Sequence, residues 1–351
     1  MLALCQYYTA REIMVRSKYV VFLKPHVVKI MEEELPKPQG NEVLIRTKLT
    51  LISAGTELTA LTGNFPPGSR WANYVRYPFR PGYCNVGIVE EVGGDVKEIN
   101  VGDVVVSTAH HSQYALMSSD NVIKVPGGVH LEEAVFHTIA AGVMHSVRIS
   151  GVTLGTSVVV IGLGILGQMA VQFSRLCGAY PVIGIDLYEK RLEIGKKSGA
   201  THIVNARTED VHEEVRRITE GNMADIVFEV TGSPDVIPWA IKLVRPMGRL
   251  IILSSPRGPT TLDFHDEVNA PSRIIQGTHF SSQPEVETYY YPWTRRRNTK
   301  LFLKMLADGI VKVRHLITHI IPFERANEAY ELLLKRKEET LAVLLDFRKK
   351  S

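Results

Sequence analysis

Residues 157–167, SVVVIGLGILG, limit the fold more than any other stretch of this chain. SVVVIG is a continuous apolar run, as a strand buried on both faces requires. The glycines in and after it, Gly162, Gly164 and Gly167, carry the spacing G-x-G-x-x-G. LGQMAVQFSRLCG then sets Met169, Phe173, Leu176 and Cys177 at helical spacing. The pattern repeats: YPVIGID, HIVN, ADIVFEVTG, GRLIILSS and RIIQGTHF read as further strands. EKRLEIGKKSGA and PDVIPWAIKLV read as helices between them. Strand alternating with helix over about 130 residues predicts an α/β fold with a doubly wound parallel sheet.

The glycines have a mechanical reading. Gly162 permits the tight turn out of the strand, Gly164 lets a pyrophosphate approach the backbone, and Gly167 lets the helix pack on the sheet. The helix start, at Ile165 and Leu166, offers free N–H groups and a positive dipole end to the anion. Asp186 closes the next strand, 24 residues after Gly162. A carboxylate there accepts from the adenosine ribose hydroxyls and repels a 2′-phosphate, which favours NAD over NADP. Arg191 either softens that preference or is a solvated helix residue. Thr231, Leu253 and Ser254, on the turns that follow later strands, are expected to complete the dinucleotide site.

The first half of the chain has a different texture. SKYVVFLKPHVVKIMEEELP, EVLIRTKLTLIS, VGIVEEVG, DVVVST and YALMSSDNVIKVP are β-branched runs broken by Gly, Pro, Asn and Asp. A long helical period first shows in EEAVFHTIAAGVMHSVRIS, 132–150. Residues 17–148 therefore read as a β-rich domain. Residues 1–16 fit no later pattern and read as an extension, with Met14 as an alternative start. At the other end TKLFLKMLADGIV and FERANEAYELLLKRK read as helices and LAVLLDF as a strand. One six-stranded unit is complete before them, so residues 285–351 are expected to return to the first domain.

Composition removes several classes. A net charge of +4 on 351 residues does not by itself point to nucleic acid or an anionic membrane. No apolar run reaches the roughly 18 to 20 residues of a membrane span. Arg11 and Glu12 stand where a signal peptide needs an apolar centre, so no export signal is read. Three scattered cysteines, Cys5, Cys84 and Cys177, form no disulfide framework and suit a reducing cytoplasm.

With VGDVVV, VPGGVHLEEA and VIGLGILGQ in this order, the chain resembles the medium-chain dehydrogenase/reductase superfamily over residues 17–348. The resemblance implies a GroES-like catalytic domain at 17–148 and a Rossmann NAD-binding domain at 149–284. It also implies an active site in the cleft between them and a homodimer or homotetramer. ISAGTE and PGY are further similar to the branch that holds bacteriochlorophyllide dehydrogenases.

In zinc-dependent relatives the metal sits on a cysteine, a histidine and a third Cys, Glu or Asp. By the resemblance those places fall at Ser53 or Ala54, at Tyr83 in PGYCNVGIVEEVGGDV, and at His137 in AVFHTIAAG. Neutral hydroxyls are poor zinc ligands, and VVVSTAHHSQYALM lacks the cysteines of a structural zinc lobe. The expectation is a member with no metal, in which a proton donor replaces the Lewis acid. Tyr83 is the candidate donor, with His137 as a neighbouring cation that lowers its pKa. Thr56 would relay the proton, and Glu57 would orient a base or bond a polyol. Ser53 and His279 are candidate substrate contacts. Tyr83 and His137 also read as packed core residues, and Cys84 as a small buried hydrophobe.

The reaction so implied is hydride transfer between NAD and a secondary alcohol or ketone of sugar, polyol or sugar-acid type. Three other readings stay open: a zinc-free enone or quinone reductase, a zinc enzyme built on Cys84, His137 and Glu57, and a nucleotide-binding protein without catalysis. Three histidine stretches, His110 with His111, His137 with His145, and His279, also read as possible metal donors. The cluster YYYPWTRRRNTK, with Arg295, Arg296, Arg297 and Lys300, reads as a solvated helix start or subunit contact, or as a site for an anionic substrate.

Overall fold

A computed structural model describes residues 13–348 of the chain. Residues 1–12, with Cys5 and most of the expected extension, lie outside the described residues. A hairpin of β1 (Ile13–Lys24) and β2 (Val27–Pro36) opens the fold. Its first rungs pair Ile13 with Pro36 and Arg16 with Glu34. Residues 13–16 are therefore strand, because β2 is long enough to give them partners.

The first main sheet holds β3 (Glu42–Leu51), β4 (Asn85–Val92), β5 (Val104–Ser107), β6 (Tyr114–Ser118) and β7 (Val122–Lys124). The second holds β8 (Val158–Ile161), β9 (Val182–Asp186), β10 (His202–Asn205), β11 (Ala224–Glu229), β12 (Val244–Ile252) and β13 (Ile274–Gly277). Its order is β10-β9-β8-β11-β12-β13, parallel throughout. All four residues of β8 are buried, as a central strand covered by helices on both faces must be. The strand order reverses between β8 and β11, and ligands of such sheets bind at the carboxyl ends of the strands at that point. The chain then returns. β14 (Ile317–Pro322) and β15 (Ala342–Asp346) join the first sheet through the β15–β3 pairing, Leu344 opposite Leu51.

One core joins the two sheets. Leu49, Leu51 and Val86 of the first and Val158 and Val160 of the second belong to one buried cluster. The helix His137–Ser150, with eleven buried residues, runs through it. The expected helix over 132–150 is divided: Leu131–Ala134 forms a separate turn before it. PDVIPWAIKLV is not one helix either. It is a 3₁₀ turn, the short helix Ile237–Ala240 and a second 3₁₀ turn, since Pro238 supplies no N–H to a longer ladder. No helix among the described residues is long and apolar enough to cross a membrane.

Candidate active site

The helix Ala54–Thr62 begins where β3 ends, at Ser53. Its first turn carries Thr56 and Glu57, and Tyr83 approaches from the segment before β4. Gly82 makes that approach possible. Its φ is +100°, and a Cβ there would lie 2.7 Å from the His111 backbone nitrogen. Tyr83 donates its hydroxyl to Ser53 Oγ and to Thr56 Oγ1, the latter at 3.2 Å. Three hydroxyls, those of Ser53, Thr56 and Tyr83, thus meet at one helix N-terminus.

Glu57 turns away from that group. It is 1% exposed and carries three hydrogen bonds. Oε1 accepts from the Ser53 N–H at 2.8 Å. Oε2 accepts from His111 Nε2 at 2.9 Å and from the Tyr330 hydroxyl at 2.5 Å. With Nε2–H given to the carboxylate, His111 Nδ1 accepts from the Thr50 hydroxyl at 2.7 Å. Glu57 is therefore no polyol contact; it does orient a histidine, His111. Sequence spacing marked His111 only as a possible metal donor and did not mark Thr50 or Tyr330. Tyr330 arrives on the helix Ala326–Lys335, and no local pattern ties it to Glu57.

The expected cation at His137 is corrected. His137 is buried, its Nε2 donates to the Ser107 carbonyl at 3.2 Å, and burial pushes its pKa down to about 4. It is neutral at physiological pH. The Tyr83 phenol moves the opposite way to the expectation: burial raises it above its ordinary value, and the Ser53 and Thr56 hydrogen bonds offset only part of this. Cys84 is fully buried and its thiol is likewise pushed up by burial, an inert state.

A metal finds poor donors here. Glu57 is held by its three donors, and His137 is spent on Ser107. His145 lies elsewhere on its helix, bonded to the Tyr291 hydroxyl at 2.7 Å and the Ser282 hydroxyl at 2.9 Å. Among the described residues no three His, Cys, Asp or Glu side chains group so as to hold a metal ion. His279 sits at an exposed turn where its ring accepts from the Ser281 N–H and meets the Ser281 hydroxyl. It has no hydrogen bond to the Tyr83 group.

The crevice expected to take a dinucleotide lies at the ends of β8, β9 and β11. A Cβ on Gly167 would fall 2.0 Å from the Gly162 carbonyl oxygen, so only glycine lets this helix sit so close. Around Gly164 nothing lies within 4 Å of the Cβ direction, and its helix, Ile165–Leu176, has no side-chain cap. The first N–H groups of Ile165, Leu166 and Gly167 are left for an anion. Gly162 lies against Thr231, with a Cβ there 3.0 Å from the threonine methyl. Glu229, fully buried, accepts from the Thr231 N–H at 2.6 Å and from the Thr231 and Ser254 hydroxyls, which fixes both turns. Leu253 is buried between them. Asp186 accepts from the N–H groups of Leu163 and Leu187 at 2.7 Å and of Tyr188 at 3.0 Å. Arg191 is not a solvated residue. Its Nη1 lies 3.9 Å from Asp186, and its Nη2 donates to the Lys337 and Thr340 carbonyls.

The basic cluster has mostly structural partners. Arg296 donates to the Asp120 and Val122 carbonyls at 2.7 and 3.1 Å, bracing the first sheet. Arg297 and Arg148 flank the Trp293 ring, with 4.5 and 3.3 Å to its centroid.

Comparisons with known proteins agree with this architecture. Residues 39–149 match the alcohol dehydrogenase GroES-like domain family, and residues 166–294 the zinc-binding dehydrogenase family. L-threonine 3-dehydrogenase of Pyrococcus horikoshii is 28% identical over 349 residues, covering 90% of this chain and 95% of that protein. Sorbitol dehydrogenase of Bacillus subtilis is 29% identical over 352 residues, covering 90% and 94%. A crystal structure of an alcohol dehydrogenase from Escherichia coli CFT073 with bound NADH superposes with a TM-score of 0.78 at 21% identity, covering 94% of this chain and 99% of that one.

Proposed function

The chain belongs to the medium-chain dehydrogenase/reductase superfamily, and we propose that it is an NAD(H)-dependent oxidoreductase acting on a secondary alcohol or the matching ketone, of sugar, polyol or sugar-acid type, without catalytic zinc. The observation that carries this reading is the Tyr83 hydroxyl held by Ser53 and Thr56 at a helix N-terminus. By the family resemblance, Ser53 and Tyr83 fall at places where zinc-dependent relatives hold an ion. The named activities of the threonine and sorbitol dehydrogenases support an alcohol substrate.

NAD fits the crevice: the open face at Gly164 and the uncapped helix suit a pyrophosphate, and Gly162, Ile165, Leu166 and Gly167 would hold it. Asp186, steadied by three backbone donors, supports NAD over NADP, and Arg191 beside it softens that preference. Thr231, Leu253 and Ser254 would line the nicotinamide side. When bound, NAD⁺ would supply the hydride acceptor in oxidation and NADH the hydride donor in reduction.

The remaining tasks fall to the chain. The Tyr83 oxygen, having given its proton toward Ser53 and Thr56, is free to accept from a substrate hydroxyl. In oxidation the carbinol proton passes to this oxygen as the phenol proton moves to Ser53 or Thr56, and the partly exposed Thr56 hydroxyl gives its own proton to solvent. In reduction Tyr83 donates to the developing alkoxide and the hydroxyls reload it. Glu57 acts as a positioning residue, fixing the helix start through the Ser53 N–H. The free thiols Cys84 and Cys177 suit a reducing cytoplasm, and the unpaired outer edge of β13 suits a homodimer or homotetramer.

The test is NADH formation across secondary alcohols, polyols and sugar acids, with and without chelator. Tyr83→Phe should lower turnover by roughly 10²–10⁴-fold, the range for a lost acid/base group, with NADH affinity unchanged. Full activity in that variant, or loss of activity on chelation, would reject the mechanism.

A further inference from the structure

Arg257 follows β12 on the dinucleotide side and reaches across to the first domain. Its Nε donates to Thr59 Oγ1 at 2.9 Å. Thr59 lies three residues beyond Thr56 on the helix Ala54–Thr62, and side chains at that spacing are neighbours, about 5–6 Å apart at Cβ. Thr56 in turn accepts from Tyr83. The guanidinium is therefore one helical turn from the phenol that handles the carbinol proton. Its Nη2 lies 3.7 Å from where a Cβ on Gly232 would stand, just past β11. It occupies the junction of the two domains and the crevice.

Its charge has no contact partner. Among the described residues no carboxylate lies within ion-pair distance of Arg257. Glu229 is the one whose field reaches it, and burial outweighs that field, holding Arg257 below the usual guanidinium value. Glu229 cannot come closer in effect, because its oxygens are taken by Thr231, Gly232 and Ser254. A half-buried guanidinium has five donors, and here a single hydroxyl answers one of them. Among the described residues its other donors have no protein acceptor and still reach solvent, so they are available to an arriving anion. Its two Nη groups form a planar fork that suits a carboxylate or phosphate.

We propose that Arg257 receives an oxyanion carried by the substrate, a carboxylate or a phosphate monoester a few carbons from the reacting carbinol. The substrate is then a hydroxy acid or a hydroxylated phosphate ester, not a neutral alcohol. This rests on the dehydrogenase reading above.

The experiment compares a neutral polyol with the corresponding sugar acid and sugar phosphate, on the full chain and on Arg257→Met and Arg257→Lys. In Arg257→Met the KM of the anionic substrate should rise roughly 10–100-fold, the scale of one charge-assisted contact. Arg257→Lys should recover part of that loss. The kcat/KM of the neutral polyol and the dissociation constant of NADH should stay within about twofold, since neither would use the fork. Whichever anionic substrate carries the loss identifies the oxyanion. Equal losses on neutral and anionic substrates would overturn the proposal. So would a weakening confined to NADH, which would assign Arg257 to the coenzyme pyrophosphate. If no compound is oxidised, the dehydrogenase reading fails separately. Calorimetric titration of the same acid and phosphate in the presence of NADH then decides: binding lost in Arg257→Met supports the fork, and no binding, or equal binding, overturns it.

Discussion

Tyr330 donates its hydroxyl to Glu57 at 2.5 Å, joining positions 273 residues apart. Both side chains are buried, at 0% and 1% exposure. The C-terminal helix is thereby tied to the first turn of the helix that carries Thr56. Tyr330→Phe would leave the ring packing intact and take one of three donors from a buried carboxylate. The expected cost is about 2 kcal/mol, within the range for a hydrogen bond to a charged group. It should read as a lower denaturant midpoint at unchanged slope. An unmoved midpoint would mean that Glu57 finds another donor.

On the proposed mechanism Tyr83 sets the pH behaviour. Burial raises its phenol above the ordinary value of 10, so the oxygen is a reluctant acid and the base form is scarce at neutral pH. Alcohol oxidation should therefore climb with pH and show no plateau below that value. Ketone reduction, which uses the protonated phenol, should stay flat through neutrality. Stopped-flow rates of hydride transfer across pH check this in both directions. A plateau in oxidation near neutrality would place the proton on another group.

Much of the fold was legible because its signals are local. The all-buried run of β8, the glycine spacing and Asp186 each follow from neighbours in sequence, and the parallel order needed only the strand–helix alternation. Ser53, Thr56 and Tyr83 could be singled out because family motifs mark those places, and the structure brings their hydroxyls together. The environment of each was not legible. His137 stands at a ligand position, yet the Ser107 carbonyl and complete burial decide its protonation, and neither is visible in AVFHTIAAG. Glu57 looked free to bind a polyol until His111 and Tyr330, from distant segments, took its oxygens. Arg257 sits among Ser, Pro and Gly in an ordinary loop, and only the packing of distant segments brings it to Thr59. The RRR cluster does open a helix, Arg295–Ala307, with Arg295 and Arg297 exposed, but charge spacing cannot show that Arg296 is spent on two carbonyls.

His137 should make the protein acid-sensitive. Its folded pKa is about 4 against an ordinary 6.5, so between those values the unfolded chain binds a proton that the folded one refuses. Stability then rises with pH through this window, is complete above 6.5, and is lost as pH falls toward 4. The full shift corresponds to about 3 kcal/mol, an order-of-magnitude figure at 1.36 kcal/mol per pKa unit. His110 and His145 are also lowered by burial and add slope of the same sign, so the wild-type profile alone cannot isolate one ring. The difference between wild type and His137→Asn does. The variant should be less stable at pH 8, where a packed ring is lost, and its unfolding free energy should fall less steeply on acidification. Urea midpoints taken across the window give both readings. Parallel wild-type and variant profiles would show that the buried imidazole takes up its proton without opening the fold.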